Sequence, residues 1–348
     1  VFTNADGAPA LLPAPGEVRW TDENFDASRF VINAPTEAGF AVEELGRILT
    51  GLGGQRDEQG GKIILQLGDT GNASPESYAL TVSTNTVIVT ARQPAGLLYG
   101  VQTLRQLAIA QNGKPVIAGC RITDAPAFAW RGFMHDVGRN FQDIELLKRF
   151  VDVMARYKLN VFHFHLTDNP AWRVECRVHP ELNSPTNTPA SRSPGKFYTY
   201  AELNDFIAYC RVRGVRVVPE LDMPGHSEYF KRAFGVDMQG ERGMQILADC
   251  LNEFMDNVNT TELHIGSDEV AIRNKDFIPR MTQLVRKRGK QIIVWRPGHR
   301  PEGKVITQLW SAGGLPNGPL PGVPALDSRN DYVNHMDPFD GPLRILNL

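Results

Sequence analysis

Apolar positions recur along this chain with two periods. In its first third, residues 62–67 and 86–91 are runs of Ile, Val and Leu bounded by Gly, Asp or Asn, which predicts strands. Residues 96–110 carry Leu97, Val101, Leu104 and Leu107 at three- and four-residue steps, which predicts a helix. The mixture predicts a small α+β domain over residues 1–120, with Asp124-Ala125-Pro126 as a junction.

From Arg131 the pattern becomes strand, loop, helix, repeated. Strands are predicted at 132–137, 159–166, 215–219, 262–265, 291–295, 305–310 and 323–327. Asp143 can cap a helix running to residue 157, with Leu147, Phe150, Met154 and Tyr157 on one face. Further helices are predicted at 200–213, ended by Gly214, at 244–258 and at 277–288. Alternating strands and helices imply a parallel sheet with right-handed crossovers. Seven such strands favour a (β/α)8 TIM-type barrel over residues 121–348 rather than an open doubly wound sheet. No Gly-rich phosphate loop follows any strand, which argues against a dinucleotide or P-loop fold. The chain stops at Leu348, so the final βα unit is expected to be missing or shortened, leaving strand edges exposed.

Composition adds exclusions. Of 348 residues 42% are hydrophobic and 22% charged, as in ordinary globular proteins. The net charge of -2 gives no reason to expect nucleic acid as a partner. No apolar run approaches the roughly 18 residues of a membrane span, so no membrane insertion is expected. Cys120, Cys176, Cys210 and Cys250 form no CxxC pair; zinc is not expected, and mostly free, buried thiols are. The first residue is Val1, which reads as the start of a processed or trimmed product. Nothing in the sequence fixes an oligomeric state.

In a barrel of this kind the active site lies at the C-terminal ends of the strands. Those ends carry Asp136 and Arg139; His163, His165 and Asp168; Glu220, Asp222 and His226; Asp268 and Glu269; Trp295; Trp310; and Tyr332 with Asn334. Any one strand-end Asp or His is more often a cap or a satisfied core group than a functional one. Their convergence on one rim changes the weighting. His163, His165, Asp168 and His226 also suit a metal, but His163 lies deep in its strand, and no metal is expected. Asp268-Glu269 is the sharper signal. Neighbours on a strand point to opposite sides. Such a pair cannot readily flank one bond from roughly 5–10 Å apart, as the usual glycosidase carboxylates do. It suits a general acid beside a carboxylate that steers a group belonging to the substrate.

At this point the sequence resembles glycoside hydrolase family 20, bacterial type, over nearly its whole length. Leu12-Pro13-Ala14-Pro15, Ser77-Tyr78-Ala79-Leu80 and Gly100 through Leu107 resemble the family's first domain. Arg131-Gly132-Phe133 with Asp136 and Arg139, Lys158 through Asp168, Pro219 through His226, and His264-Ile265-Gly266-Ser267-Asp268-Glu269-Val270 resemble its first four barrel strands. The resemblance implies a retaining, exo-acting β-N-acetylhexosaminidase with no cofactor, whose partner is a glycan ending in β-linked N-acetylglucosamine or N-acetylgalactosamine. Its nucleophile would be the substrate's own acetamido oxygen, forming an oxazolinium. Glu269 would be the general acid and base, Asp268 would orient the acetamido N–H, and Tyr332 would donate to the acetamido oxygen. His226 and Asp168 would support Glu269. Trp295 and Trp310 would wall the pocket, and Arg139, Asn334 and His165 would bind the sugar.

Three departures from the family pattern stand out. Ser267 replaces a frequent Gly, and as a small residue it is expected to have little effect. Asn169 replaces a frequent Asp beside Asp168, softening the relay's electrostatics. Asn334 stands where relatives place a carboxylate, which suggests tolerance of a 6-O-sulfated sugar. The substrate class implies a secreted, periplasmic or cell-surface location. The competing reading is a non-catalytic sugar-binding protein on a decayed barrel.

Overall fold

The computed structural model describes residues 9–311 and 318–329. The chain divides into two compact units, Val1–Arg131 with Arg149–Asn160 and Cys210–Val215, and Gly132–Lys148 with Val161–Tyr209 and Arg216–Leu348.

The first unit is α+β. One sheet runs Glu17–Trp20, Cys120–Asp124, Tyr78–Val82, Thr86–Ala91, Gly61–Leu67, Arg29–Asn33 and Gln55–Arg56 in spatial order. Tyr78–Val82 and Thr86–Ala91 alternate between buried and half-buried positions, as expected of strands with one face on a core. Helix Pro94–Leu107 contributes Leu97, Val101, Leu104 and Leu107 to that core, and Pro94 opens it where an N–H has no partner to lose. A Cβ on Gly100 would lie 2.4 Å from Val89, so glycine sets how closely the helix approaches the sheet. The helix is shorter than its apolar pattern suggested. At Ala108 the chain enters a hairpin, Ala108–Gln111 with Lys114–Ile117, turned by Asn112 (φ 52) and Gly113 (φ 75). Two successive positive φ values are the signature of a type I′ turn.

The second unit carries a parallel sheet of β1 (Gly132–Asp136), β2 (Val161–His165), β3 (Arg216–Met223), β4 (Glu262–Gly266), β5 (Gln291–Arg296), β6 (Ile306–Leu309) and β7 (Ala325–Asp327), paired in chain order. This is the strand order of a (β/α) barrel, with β1 and β7 as edges among the described residues. All five residues of β2 are buried, as suits a strand covered on both faces. Helices Ile144–Arg156, Tyr200–Val212, Glu228–Phe234, Glu241–Asn257 and Phe277–Lys287 lie between the strands in sequence. Gly214, at φ 70, follows Tyr200–Val212 as its sequence suggested. Leu147 and Met154 are buried on the first of these helices, but Tyr157 lies past its end and is 44% exposed. No described helix is long and apolar enough to cross a membrane. All four cysteines are buried and free.

Candidate active site

The site is built from residues inside β2 to β5 and from the loops that leave β1 to β5. The centre of its charge network is Glu220, near the middle of β3 and wholly buried. Its Oε2 receives His163 Nε2 at 2.9 Å and His165 Nδ1 at 2.5 Å. Its Oε1 faces His264 Nδ1 at 3.1 Å and accepts Trp295 Nε1–H at 2.7 Å. Burial alone would push this carboxyl up, but the three histidines hold it well below the usual carboxylate range. His165 is correspondingly cationic: its burial opposes the charge, and Glu220 and Asp168 more than offset that. Burial leaves His264 neutral, its pKa lowered to about 4.

His165 Nε2 lies 3.0 Å from Asp168 Oδ2. With both ring nitrogens committed and the side chain buried, His165 has nothing left to offer a sugar, contrary to the substrate-binding place expected of it. It supports the relay from behind. Asp168 Oδ2 also meets Arg139 Nη2 at 2.9 Å and His226 Nδ1 at 3.3 Å. Although burial works the other way, hydrogen bonds from His165 and His226 hold Asp168 far below the usual carboxylate range. The hydrogen bond to Asp168 raises His226 to about 9. His226 Nε2 then reaches Glu269 Oε2 at 2.7 Å. Asp168, His226 and Glu269 thus form one connected line. Arg139 is half exposed and also bonds Asp136. Asn169 turns away from this line: its side-chain oxygen accepts the Glu228 N–H at 3.3 Å.

Asp268 and Glu269 lie beyond the end of β4, which stops at Gly266. Their separation therefore does not come from strand alternation, as the sequence suggested. It comes from a tight turn with Gly266 (φ 63), Ser267 (φ 79) and Glu269 (φ 60) in the left-handed region. Asp268 ends up 5% exposed, whereas the Glu269 side chain is 45% exposed. Among the described residues, Asp268 Oδ1 is buried with no hydrogen-bond partner. Burial, then the charges of Glu220 and Glu269, raise the Asp268 carboxyl to about 7. Neighbouring Asp222 is fully buried, both oxygens lack partners among the described residues, and burial with the charge of Glu220 pushes its carboxyl well above the usual carboxylate range.

A cleft of about 590 Å³ is lined by Glu269, Val270, Pro297, Gly298, His299 and Trp310. Trp310 Nε1–H donates to Pro297 O at 3.0 Å. Trp295 is buried, its ring tilted by 56° against that of His264 with centroids 4.7 Å apart. Tyr332 and Asn334 lie outside the described residues.

Of the residues expected at the site, the structure brings Arg139, His165, Asp168, His226 and Glu269 into one hydrogen-bonded network, with Asp268 beside Glu269. Trp295 joins the same network through Glu220. Sequence reasoning passed over three residues that matter. Glu220 was one strand-end carboxylate among several, although two histidines spaced to face it on β2 were the available signal. His264, whose Nδ1 faces Glu220 Oε1, stands out in the sequence only as the first residue of the motif that ends at Val270. Arg173, fully buried, donates to the carbonyls of Val137, Ser193, Lys196 and Arg192, and nothing in its local sequence marked it.

His163, Glu220 and His264 place three donor atoms within 4.8 Å of one another. Trp295 Nε1–H, which can only donate, already occupies Glu220 Oε1, so the arrangement is that of a saturated carboxylate rather than an open coordination site.

Parallel strands paired in chain order, with carboxylates, histidines and tryptophans gathered in their C-terminal halves and just beyond, define the second unit as one of the (β/α) barrel class. Family comparison is more specific. Residues 128–241 match the catalytic domain of glycosyl hydrolase family 20, and residues 8–125 match domain 2 of the same family. The chain belongs to glycosyl hydrolase family 20. It is 32% identical over 283 residues to a β-N-acetylhexosaminidase of Cellulomonas fimi, covering 73% of this chain and 57% of that protein. It is 41% identical over 169 residues to a β-hexosaminidase of Akkermansia muciniphila, covering 46% of this chain and 34% of that one. Among solved structures, a β-N-acetylhexosaminidase of Bacteroides fragilis is similar with TM-score 0.80 and 25% identity, over 94% of this chain and 76% of that one. The N-acetyl-β-hexosaminidase of Streptomyces plicatus, in complex with Thio-NAglucal, is similar with TM-score 0.77 and 30% identity, over 88% of this chain and 69% of that one. The chain spans less than two thirds of the length of the curated relatives named here.

Proposed function

We propose that the protein is an exo-acting β-N-acetylhexosaminidase that cleaves terminal β-linked N-acetylglucosamine or N-acetylgalactosamine with retention. The observation that carries this reading is the division of labour at the turn after β4. Glu269 is half exposed on a cleft and bonded to His226, so it can exchange a proton with a ligand. Asp268, next to it, is buried with an acceptor oxygen that has no donor among the described residues. A buried acceptor without a donor is costly unless a ligand supplies one. The N–H of a 2-acetamido group is such a donor. Held there, the acetamido oxygen can attack C1 while Glu269 protonates the leaving oxygen, and Asp268 stabilises the positive charge that develops on the ring closing around C1. Water then opens the oxazolinium, deprotonated by Glu269. The names of the relatives support the substrate class.

Arg139 would bind sugar hydroxyls, Trp310 and Trp295 would enclose the acetamido methyl, and Tyr332 would donate to the acetamido oxygen. Asn334 in place of a carboxylate makes a 6-O-sulfated sugar acceptable at the site, since an amide does not repel an anion. A glycan substrate of this class would be met outside the cytoplasm, which supports a secreted, periplasmic or cell-surface location.

The test is hydrolysis of 4-nitrophenyl N-acetyl-β-D-glucosaminide by the wild type, Glu269→Gln and Asp268→Asn, with the anomer released first read by proton NMR. Turnover by the wild type alone with the β anomer first supports the reading. Release of the α anomer first overturns retention, and binding without turnover points to a sugar-binding module instead. A kcat/KM for the 6-O-sulfated glycoside more than a thousand-fold below the plain one, about 4 kcal/mol, removes the sulfate proposal.

A further inference from the structure

Ser267 stands where glycine is frequent in the family, and the effect expected of that exchange was small. The structure gives it more weight. At φ 79 the residue sits in backbone space that glycine enters freely and serine does not. Its hydroxyl offsets this by donating to His299 O at 2.7 Å, while the His299 N–H donates to Ser267 O, also at 2.7 Å. The loop after β5 is therefore fastened twice to the turn that carries the carboxylate pair. It also packs there directly: a Cβ on Gly298 would lie 2.6 Å from Trp295 O and 3.0 Å from Asp268 Cβ.

The fastening fixes His299. Its Nε2 lies 3.2 Å from Val270 O, and a carbonyl can only accept, so Nε2 carries the proton. When the ring carries that one proton, Nδ1 is the acceptor. The side chain is exposed on the cleft that Glu269 lines and Asp268 does not. If Asp268 holds the acetamide, with Trp310 at that end of the cleft, and Glu269 protonates the bridging oxygen, the part of the cleft beside Glu269, where Val270 O holds the His299 ring, receives the leaving group. We propose that Ser267 and His299 form a specificity-determining pair, in which Ser267 fixes the loop and His299 Nδ1 accepts a hydrogen bond from a hydroxyl of the leaving-group sugar. This rests on the hexosaminidase reading above.

The test compares kcat/KM on N,N′-diacetylchitobiose, whose leaving group has hydroxyls, with kcat/KM on 4-nitrophenyl N-acetyl-β-D-glucosaminide, whose leaving group has none to donate. His299→Ala is expected to fall at least tenfold further on the disaccharide than on the aryl glycoside, and His299→Gln, which keeps an acceptor, to recover most of the difference. Ser267→Ala and Ser267→Gly are expected to show the same selective loss, with Ser267→Gly melting no lower than the wild type because its backbone strain is relieved. Equal losses on both substrates in the His299→Ala or Ser267 variants, or no loss, overturn the pair. A wild type inactive on both substrates overturns the hexosaminidase reading instead. The fastening is then read alone by hydrogen exchange at the His299 amide: protection lost in Ser267→Ala supports it, and protection unchanged overturns it.

Discussion

The imidazole of His226 stands 2.7 Å from the carboxylate of Glu269 and turns its other nitrogen to Asp168 at 3.3 Å. Glu269 is therefore held by a cation whose charge is itself maintained by a buried anion. The hydrogen bond to Asp168 raises His226 from 6.5 to about 9. Because the folded value lies above the unfolded one, the stabilisation is fully present below about pH 6.5 and is lost as pH rises through about 9. A melting series from about pH 6 to 10 should show the wild type losing stability over that window, and Asp168→Asn losing less. His226→Gln should lower kcat by about a hundredfold.

Asp268 titrates with the opposite consequence for function. Its carboxyl is raised from 3.8 to about 7, so the folded chain holds a proton that the unfolded chain has released. Stability attached to this group falls as pH rises from about 4 to about 7 and is level above that. Asp268→Asn removes the buried charge. At pH 8 the variant should be more stable than the wild type by roughly 1–3 kcal/mol in urea denaturation, while kcat/KM falls by at least about a hundredfold. A site that trades stability for ligand binding behaves in this way.

Gly266 ends β4 at φ 63, and a Cβ there would lie 1.6 Å from Asp222 Oδ1. No rotamer adjustment can absorb that overlap, because Asp222 is itself enclosed. Gly266→Ala should cost roughly 3 kcal/mol or more. The clash predicts a specific coupling: introduced into Asp222→Ala, the same change should cost measurably less in a double-mutant cycle by urea denaturation.

Arg173 holds the segment between β2 and helix Tyr200–Val212. Its guanidinium spans four backbone carbonyls at 2.6 to 3.1 Å, all reached by one rigid fork. Burial lowers its pKa to about 10, which leaves it charged at neutral pH. Arg173→Met should destabilise by roughly 3–5 kcal/mol. Arg173→Lys should be nearly as damaging, because one ammonium cannot reach all four carbonyls; chemical denaturation compares the two.

Much of this arrangement was legible before the structure. The seven barrel strands fall where the sequence pattern places them, and for β2 to β6 the reason is that a strand buried on both faces writes a near-continuous apolar run. Strand Thr86–Ala91 matches its expected limits fully. The helix expected over residues 96–110 is longer than the one observed because Ala108 and Ile109 continue an apolar pattern that serves equally as strand, and the Asn112-Gly113 turn favours the hairpin. The short helix Glu228–Phe234 and the pairing of Thr167–Asp168 with Ala171–Trp172 carry too few residues to set a period.

The sequence by itself determined which chemistry collects at the strand ends, since residue type and order along the chain name the carboxylates, histidines and tryptophans of the rim. It determined the adjacency of Asp268 and Glu269. Only the tertiary structure decided what separates them. That is a left-handed turn past the end of β4, which buries one carboxylate with an oxygen that has no partner among the described residues and leaves the other on a cleft beside His226. It likewise decided that His165 faces Glu220 and Asp168 and that Ser267 holds His299. The physical reason is the same in each case. A residue's charge state and its free donors and acceptors depend on which groups distant in sequence surround it, and local patterning carries no record of those neighbours.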